Sequence, residues 1–305
     1  MPRLLHSNAG FVRSMQMSSK QVFVFVEGKQ TDSFFYGGIC DAIDSPKFTF
    51  EICLAQQLPS TSGGKQSLLT FFSYLRRNKK LLSDLCGNRT SVIFYLDKDV
   101  DDIQHTLKRS KHIVYTEYYD VQNYVFEYGD LIKGAAAAAS INPTKLSQLA
   151  DGVCWCKWAS QNWRDWVVLC LFMLKKQIPC EANYARPSPI HRRYCGPVDS
   201  TAHFAILAAL QTRTGLALNA FDQELATIAK RVDWYYQQGK HHCIFKGKWF
   251  ATILSDQIDQ IMSGNPYDIN NLANRLPCTI ATTLDFRGAW AEHFKAPLRH
   301  ILKNL

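Results

Sequence analysis

The stretch VFVFVEGKQTDSFFYGG, residues 22–38, decides how the rest of the chain reads. Its first five residues, Val22, Phe23, Val24, Phe25 and Val26, are β-branched or aromatic without a break. That is the pattern of a strand buried on both faces of a parallel sheet. The run stops at a carboxylate, Glu27, and Gly28 follows at once. A buried strand gains nothing from an acid at its tip, and a turn can be made with Asn or Ser. An acid there implies a second acidic cluster on another strand end within reach. Residues 31–43, TDSFFYGGICDAI, then read as a helix, with Thr31 or Asp32 available as N-cap and apolar residues at helical spacing.

Working outward, KFTFEICLA (47–55) reads as a second strand. A polar loop, QQLPSTSGGKQ (56–66), leads into SLLTFFSYLRRNKKLLSDL (67–85), an amphipathic helix that clusters Arg76, Arg77, Lys79 and Lys80. SVIFYLD (91–97) is the third strand, followed by the acidic DKDVDD (97–102) and a short helix; HIVYTE (112–117) is the fourth. DVQNYVFEYGDLIKGAAAAA (120–139) reads as helical. Strands alternating with helices of this length predict an α/β fold, a parallel sheet flanked by helices. Beyond about residue 139 the segments 145–179, 199–215, 219–239 and 249–264 are apolar at helical spacing and mostly separated by Pro and Gly. The expected organisation is an N-terminal segment (1–19), an α/β domain (20–140) and a mainly helical domain (141–305), with no internal repeat.

The second acidic cluster is present. Asp97 ends the apolar strand 91–97, and Asp99, Asp101 and Asp102 follow. Parallel strands point the same way, so Glu27 and Asp97 emerge at the carboxyl edge, where open α/β sheets bind their ligands. Hard divalent cations such as Mg²⁺ take oxygen ligands, usually one or two carboxylates with water and substrate phosphates. An Asp-x-Asp pair leaving a strand supplies two such ligands, and a nearby Glu completes the site or moves a proton. Gly28 lets the backbone turn sharply and a phosphate come close. A solvated helix N-terminus, where Asp favours the dipole, is the competing account, strongest for Asp101 and Asp102.

Composition agrees with a polyanionic partner. The 305 residues carry 35 Lys and Arg against 26 Asp and Glu, a net charge of +9, and 47% are hydrophobic, enough for a sizeable core. The most apolar run, WVVLCLFML (166–174), is far short of the ~18 residues a spanning helix needs. The first twenty residues contain no continuous apolar region and so do not read as a secretory signal, which places the chain in the cytoplasm by expectation. Its ten cysteines are then expected as free thiols.

VFVEGKQTDSFFY followed by VIFYLDKDVDD resembles the TOPRIM signature, a Glu at one strand end and Asp-x-Asp at a later one. Lys29 after Glu-Gly, the GGK ending at Lys65, VYTEYYDVQNYVFE (114–127) and GKHHCIFKGKWF (239–250) narrow the likeness. They are similar to a TOPRIM-like nuclease family, formerly a domain of unknown function, that includes the AriB-type effectors of PARIS anti-phage systems. Usable motifs cover roughly residues 20–130. The resemblance implies Glu27 as general acid/base and Asp97 and Asp99 as catalytic ligands of Mg²⁺ (or Mn²⁺). Glu27 and Asp101 join the metal set, and Lys29, Lys65, Arg76, Arg77 and Lys98 hold phosphates. It further implies a toxic abortive-infection effector that cleaves tRNA, is controlled by an AriA-like ABC-type ATPase partner, and is a homodimer when active. One departure is Gln122, where relatives often carry Glu before Asn-Tyr; a third anionic ligand must then be Asp101, Asp120 or none.

Other motifs are weaker. PSTSGGKQS misses the phosphate-loop pattern twice, at Pro59 and Gln66. A calcium loop is excluded by Asp102 and Lys108 at its glycine and closing acidic positions. Cys154, Cys156, His241, His242 and Cys243 lack a recurring zinc spacing. Trp155, Trp158, Trp163 and Trp166 sit at helical spacing that favours core packing or a protein interface over base stacking. Lys108, Arg109 and Lys111 behind the acids, and Arg186, Arg192 and Arg193, are further basic patches. The residues alone do not separate RNA from DNA. A DNA nuclease of the overcoming-lysogenization-defect type and a non-catalytic scaffold docking on an ATPase stay open.

Overall fold

The computed structural model describes residues 7–28, 31–45, 47–59, 63–150, 154–178, 184–263 and 266–305. In chain order the main elements are α1 (Asn8–Met17), β1 (Val22–Val26), α2 (Thr31–Asp41), β2 (Phe50–Leu54), α3 (Gly64–Arg77), β3 (Leu82–Leu85), β4 (Asn88–Leu96) and β5 (Ile113–Tyr115). Helices follow: α4 (Val121–Tyr128), α5 (Leu131–Ala139), α6 (Trp155–Asn162), α7 (Arg164–Lys175), α8 (Ser200–Thr214), α9 (Leu218–Gln237), α10 (Gly247–Ile261), α11 (Leu272–Ala281) and α12 (Glu292–Leu302). Two compact units result, one of residues up to Glu117 together with Asp285–Leu305, the other Tyr118–Leu284.

The first unit is the α/β layer. β1 lies between β2 and β4, parallel to both, and β5 runs parallel to the second half of β4. Every residue of β1 is buried, as the unbroken apolar run requires. On one sheet face Phe23, Phe25, Phe94 and Leu96 pack with Phe71, Phe72 and Leu75 of α3 and with Val12 and Met15 of α1. On the other, Tyr36 of α2 stacks on Tyr95 at 4.5 Å, and Phe35 meets the Tyr36 ring edge-on.

Three expectations change. The helix drawn over 67–85 stops at Arg77, and Lys79 takes a left-handed φ of 55°. Leu82–Leu85 becomes an edge strand antiparallel to β4, so the sheet is mostly, not wholly, parallel. The turn between them, Cys86 (φ 54°) and Gly87 (φ 83°), has both central residues at positive φ, the two-residue hairpin geometry, without the Asn-Gly or Asp-Gly that announces it. No helix follows the acidic run; residues 99–105 form turns. The units also divide at 117/118 instead of near 140, and the last 21 residues return to the first unit. The cause is α12, whose Phe294, Leu298 and Ile301 recur on one face and are buried. Phe294 packs within 5.5 Å of Phe35 and 6.0 Å of Tyr95, and Tyr95 Oη donates to its carbonyl at 2.9 Å.

The second unit is all helical among the described residues apart from an isolated bridge. Trp155, Trp163 and Trp166 are buried in it, as helical spacing implied. Gly134 lets α5 approach α11 closely, since a Cβ there would stand 2.6 Å from Ile280 Cα. Among the described residues no helix is long and apolar enough to cross a membrane.

Candidate catalytic site at the carboxyl edge of the sheet

The register pairs Phe25 with Phe94, so the strand ends of β1 and β4 finish side by side. β2 follows β1 on one side while β4 lies on the other, which makes the gap between β1 and β4 the topological switch point. Glu27 is one residue past β1 and Asp97 one residue past β4. They do more than share a rim: the Asp97 amide N–H donates to Glu27 Oε1 at 3.1 Å. Seventy residues of sequence separation close to one hydrogen bond.

Gly28 has a reason other than a sharp turn. Its N–H donates to Asp32 Oδ2 at 2.7 Å, and a Cβ would meet that carboxylate at 3.0 Å. Gly64 at the start of α3 does hold a left-handed φ of 58°, and Glu27 Oε2 lies 4.0 Å from where its Cβ would be. Lys65 is thereby delivered to the acids. Its ammonium pairs with the Asp99 carboxylate and, at 2.8 Å, with Asp101 Oδ2. Asp99 itself holds a φ of 52°, a conformation a short polar side chain tolerates and most residues avoid.

Electrostatics follow from the crowding. Burial pushes the Glu27 carboxyl up to about 8; Lys65 pulls against that, Asp99 adds to it, and the Asp97 N–H opposes it. Burial alone would lower the Lys65 ammonium, but Asp99 and Glu27 outweigh it and hold its pKa above the usual lysine range. Tyr115, at the end of β5, feels Lys65, Asp101 and Glu27 through its hydroxyl, which burial raises first of all. From sequence, Asp32 is named only as a candidate N-cap and Tyr115 is not singled out. Asp32 had a signal, an acid four residues beyond the glycine; Tyr115 had none.

The other expected residues separate. Lys98 is buried, donates its ammonium to the Glu117 carbonyl and pairs with Asp102 at 3.4 Å, so its charge is spent inside the loop. Its amide donates to Thr116 Oγ1 at 2.8 Å, tying the acidic turn to the end of β5. Lys29 lies outside the described residues, as do residues 60–62 of the loop before Lys65. Arg76 and Arg77 are exposed at the far end of α3. Asp120 caps α4, accepting the Asn123 N–H at 3.2 Å, which leaves Asp101 as the acid beside Asp99. In the second unit Gly247 is where glycine alone fits, because a Cβ would stand 2.2 Å from Asp120 Oδ1.

Among the described residues no group of three or more His, Cys, Asp or Glu side chains is placed to hold a metal ion. That holds for Cys154, Cys156, His241, His242 and Cys243, although His242 Nε2 lies 3.0 Å from Glu127 Oε2. At the sheet edge the donor chemistry nonetheless suits a hard cation: every candidate ligand is a carboxylate oxygen, and an ammonium supplies the compensating charge between Asp99 and Asp101.

No family model matches the chain, and no curated protein matches it either.

Proposed function

We propose that this protein is a metal-dependent nuclease, hydrolysing phosphodiester bonds at the carboxyl edge of β1 and β4. What supports the reading is the hydrogen bond from the Asp97 amide to Glu27 Oε1, with Asp99 and Asp101 gathered on Lys65 beside it. Glu27, Asp97, Asp99 and Asp101 would hold a Mg²⁺ or Mn²⁺ ion, which when bound polarises a phosphate and lowers the pKa of water. The chain's own groups do the rest. Before metal binds, Glu27 Oε1 accepts the Asp97 N–H, so Oε2 is the atom that would hold or pass a proton, and burial favours its protonated form. Lys65 neutralises the acids and orients a phosphate once it is released from them. The Lys98 and Thr116 tether fixes the turn that carries Asp97 and Asp99.

The resemblance of the motifs extends the proposal: tRNA as substrate, a homodimer as the active form, an ABC-type ATPase as the controlling partner, and abortive anti-phage defence as the setting. The test is incubation of purified protein with total tRNA and with supercoiled DNA, with and without Mg²⁺. Fragments of tRNA that need Mg²⁺ and vanish with Glu27→Gln or Asp99→Asn are expected. Nicking of DNA alone would transfer the activity to the DNA-directed class, and metal-dependent cutting that survives Glu27→Gln would overturn the site.

A further inference from the structure

Arg76 and Arg77, at the end of α3, do not stand alone. Lys108 and Arg109, from the segment between the acidic turn and β5, face them across an open groove of about 590 Å³ that Phe72 and Ser73 complete. Among the described residues no acidic side chain lines it. All four cations are exposed, and among the described residues none of them forms an ion pair. Cations at the last turn of a helix favour its dipole, which accounts for Arg76 and Arg77. It does not account for two more cations brought to the same place from a different segment. Like charges held together in this way repel one another, and an anion relieves the repulsion.

We propose that this groove grips the phosphodiester backbone of a nucleic-acid strand at a distance from the reactive acids. The identification of that strand as the substrate rests on the nuclease reading above. The geometry favours a chain over a small anion. Lys65 and Arg76 lie on one continuous helix, eleven residues apart, which at 1.5 Å per residue is about 16 Å. Each strand of a duplex advances about 3.4 Å along the helix axis per nucleotide, so a duplex laid parallel to α3 would meet the groove roughly five nucleotides from the bond beside Glu27. Three of the four cations, Arg76, Arg77 and Arg109, are arginines, whose planar forks match phosphate oxygens in pairs. The segment carrying Lys108 is anchored to the site itself, because the Lys108 amide donates to Tyr115 Oη at 3.1 Å. Grip and chemistry therefore lie in the same compact unit, joined by α3 and by this hydrogen bond.

The test measures binding without cutting. The full chain carrying Glu27→Gln is titrated in EDTA into fluorescently labelled RNA and DNA oligonucleotides, and anisotropy is followed at several salt concentrations. Arg76→Ala with Arg77→Ala, and Lys108→Ala with Arg109→Ala, are each expected to weaken binding about tenfold. Each pair should flatten the slope of log affinity against log salt by about 0.7 per phosphate lost. Lys47→Ala, exposed in the same unit, should change neither. Affinity should climb with oligonucleotide length and level off once the strand spans groove and acids. Unchanged affinity and slope in both groove variants, with unchanged melting curves, would overturn the proposal. So would a mononucleotide, inorganic phosphate or an acidic peptide that displaces the probe as well as an oligonucleotide of equal charge. Groove variants that lose binding in a protein that cuts nothing with Mg²⁺ would keep the groove and remove the nuclease reading; cutting with unchanged binding would do the reverse.

Discussion

Replacing Glu27 by Gln tests the central electrostatic claim without reference to any reaction. Burial raises this carboxyl from 4.5 to about 8. A folded-state pKa above the unfolded one means that stability is full below about pH 4.5 and falls as pH rises, until the loss is complete near pH 8. At 1.36 kcal/mol per unit, a rise of about 3.5 units gives an upper bound of about 5 kcal/mol, and the partial exposure of Glu27 brings the expectation to roughly 2–4 kcal/mol. Gln keeps the shape and cannot ionise. The variant should therefore match the wild type near pH 4.5, where both side chains are neutral, and exceed it at pH 8 and above. The assay is hydrogen exchange by mass spectrometry on peptides from β1 and β4 in EDTA, compared between the two proteins at each pH. Peptide resolution matters because two compact units need not unfold together. Equal protection of β1 and β4 in both proteins at the alkaline end would refute the idea that an acid is held against its preference at this strand tip.

Lys65→Ala removes the ammonium between Asp99 and Asp101. Without metal the first unit should then melt earlier, and Mg²⁺ should bind about tenfold tighter by calorimetry, a gain of about 1.4 kcal/mol, because no lysine has to be displaced; equal affinities would show that lysine and metal do not compete. Burial pushes His241 down to about 3, with His242 and Lys157 acting the same way and Glu127 against them. A folded pKa below the unfolded 6.5 means stability is full above pH 6.5 and is lost as pH falls toward 3. Exchange protection of α9 and α10 should drop by about 1.4 kcal/mol for each pH unit over that window, and His241→Phe should abolish the drop. A slope that survives the substitution would place the acid sensitivity elsewhere.

The strand and helix periods of this chain were legible because they are local. Five consecutive apolar residues in β1, the continuous apolar run of α7, and the 3.6-residue spacing of α3 and α10 report burial without knowledge of what does the burying. Glu27 and Asp97 stood out for the same reason, as charges placed where an apolar run stops. The hairpin at Cys86 and Gly87 was not legible, since its turn lacks the usual residues and its strands follow a helix of the same composition. Nor was the return of α12, whose apolar face identifies an amphipathic helix but not the partners that cover it.

The sequence by itself determined that this is a basic α/β protein with acids at two strand tips and helices to follow. Only the tertiary structure decided that β1 and β4 are neighbours, that Lys65 occupies the space between Asp99 and Asp101, that Lys98 is turned inward, and that Arg76, Arg77, Lys108 and Arg109 share a groove. Periodicity is a property of residues a few positions apart, whereas a charge acts on whatever lies within a few ångströms. Folding alone settles which residues those are.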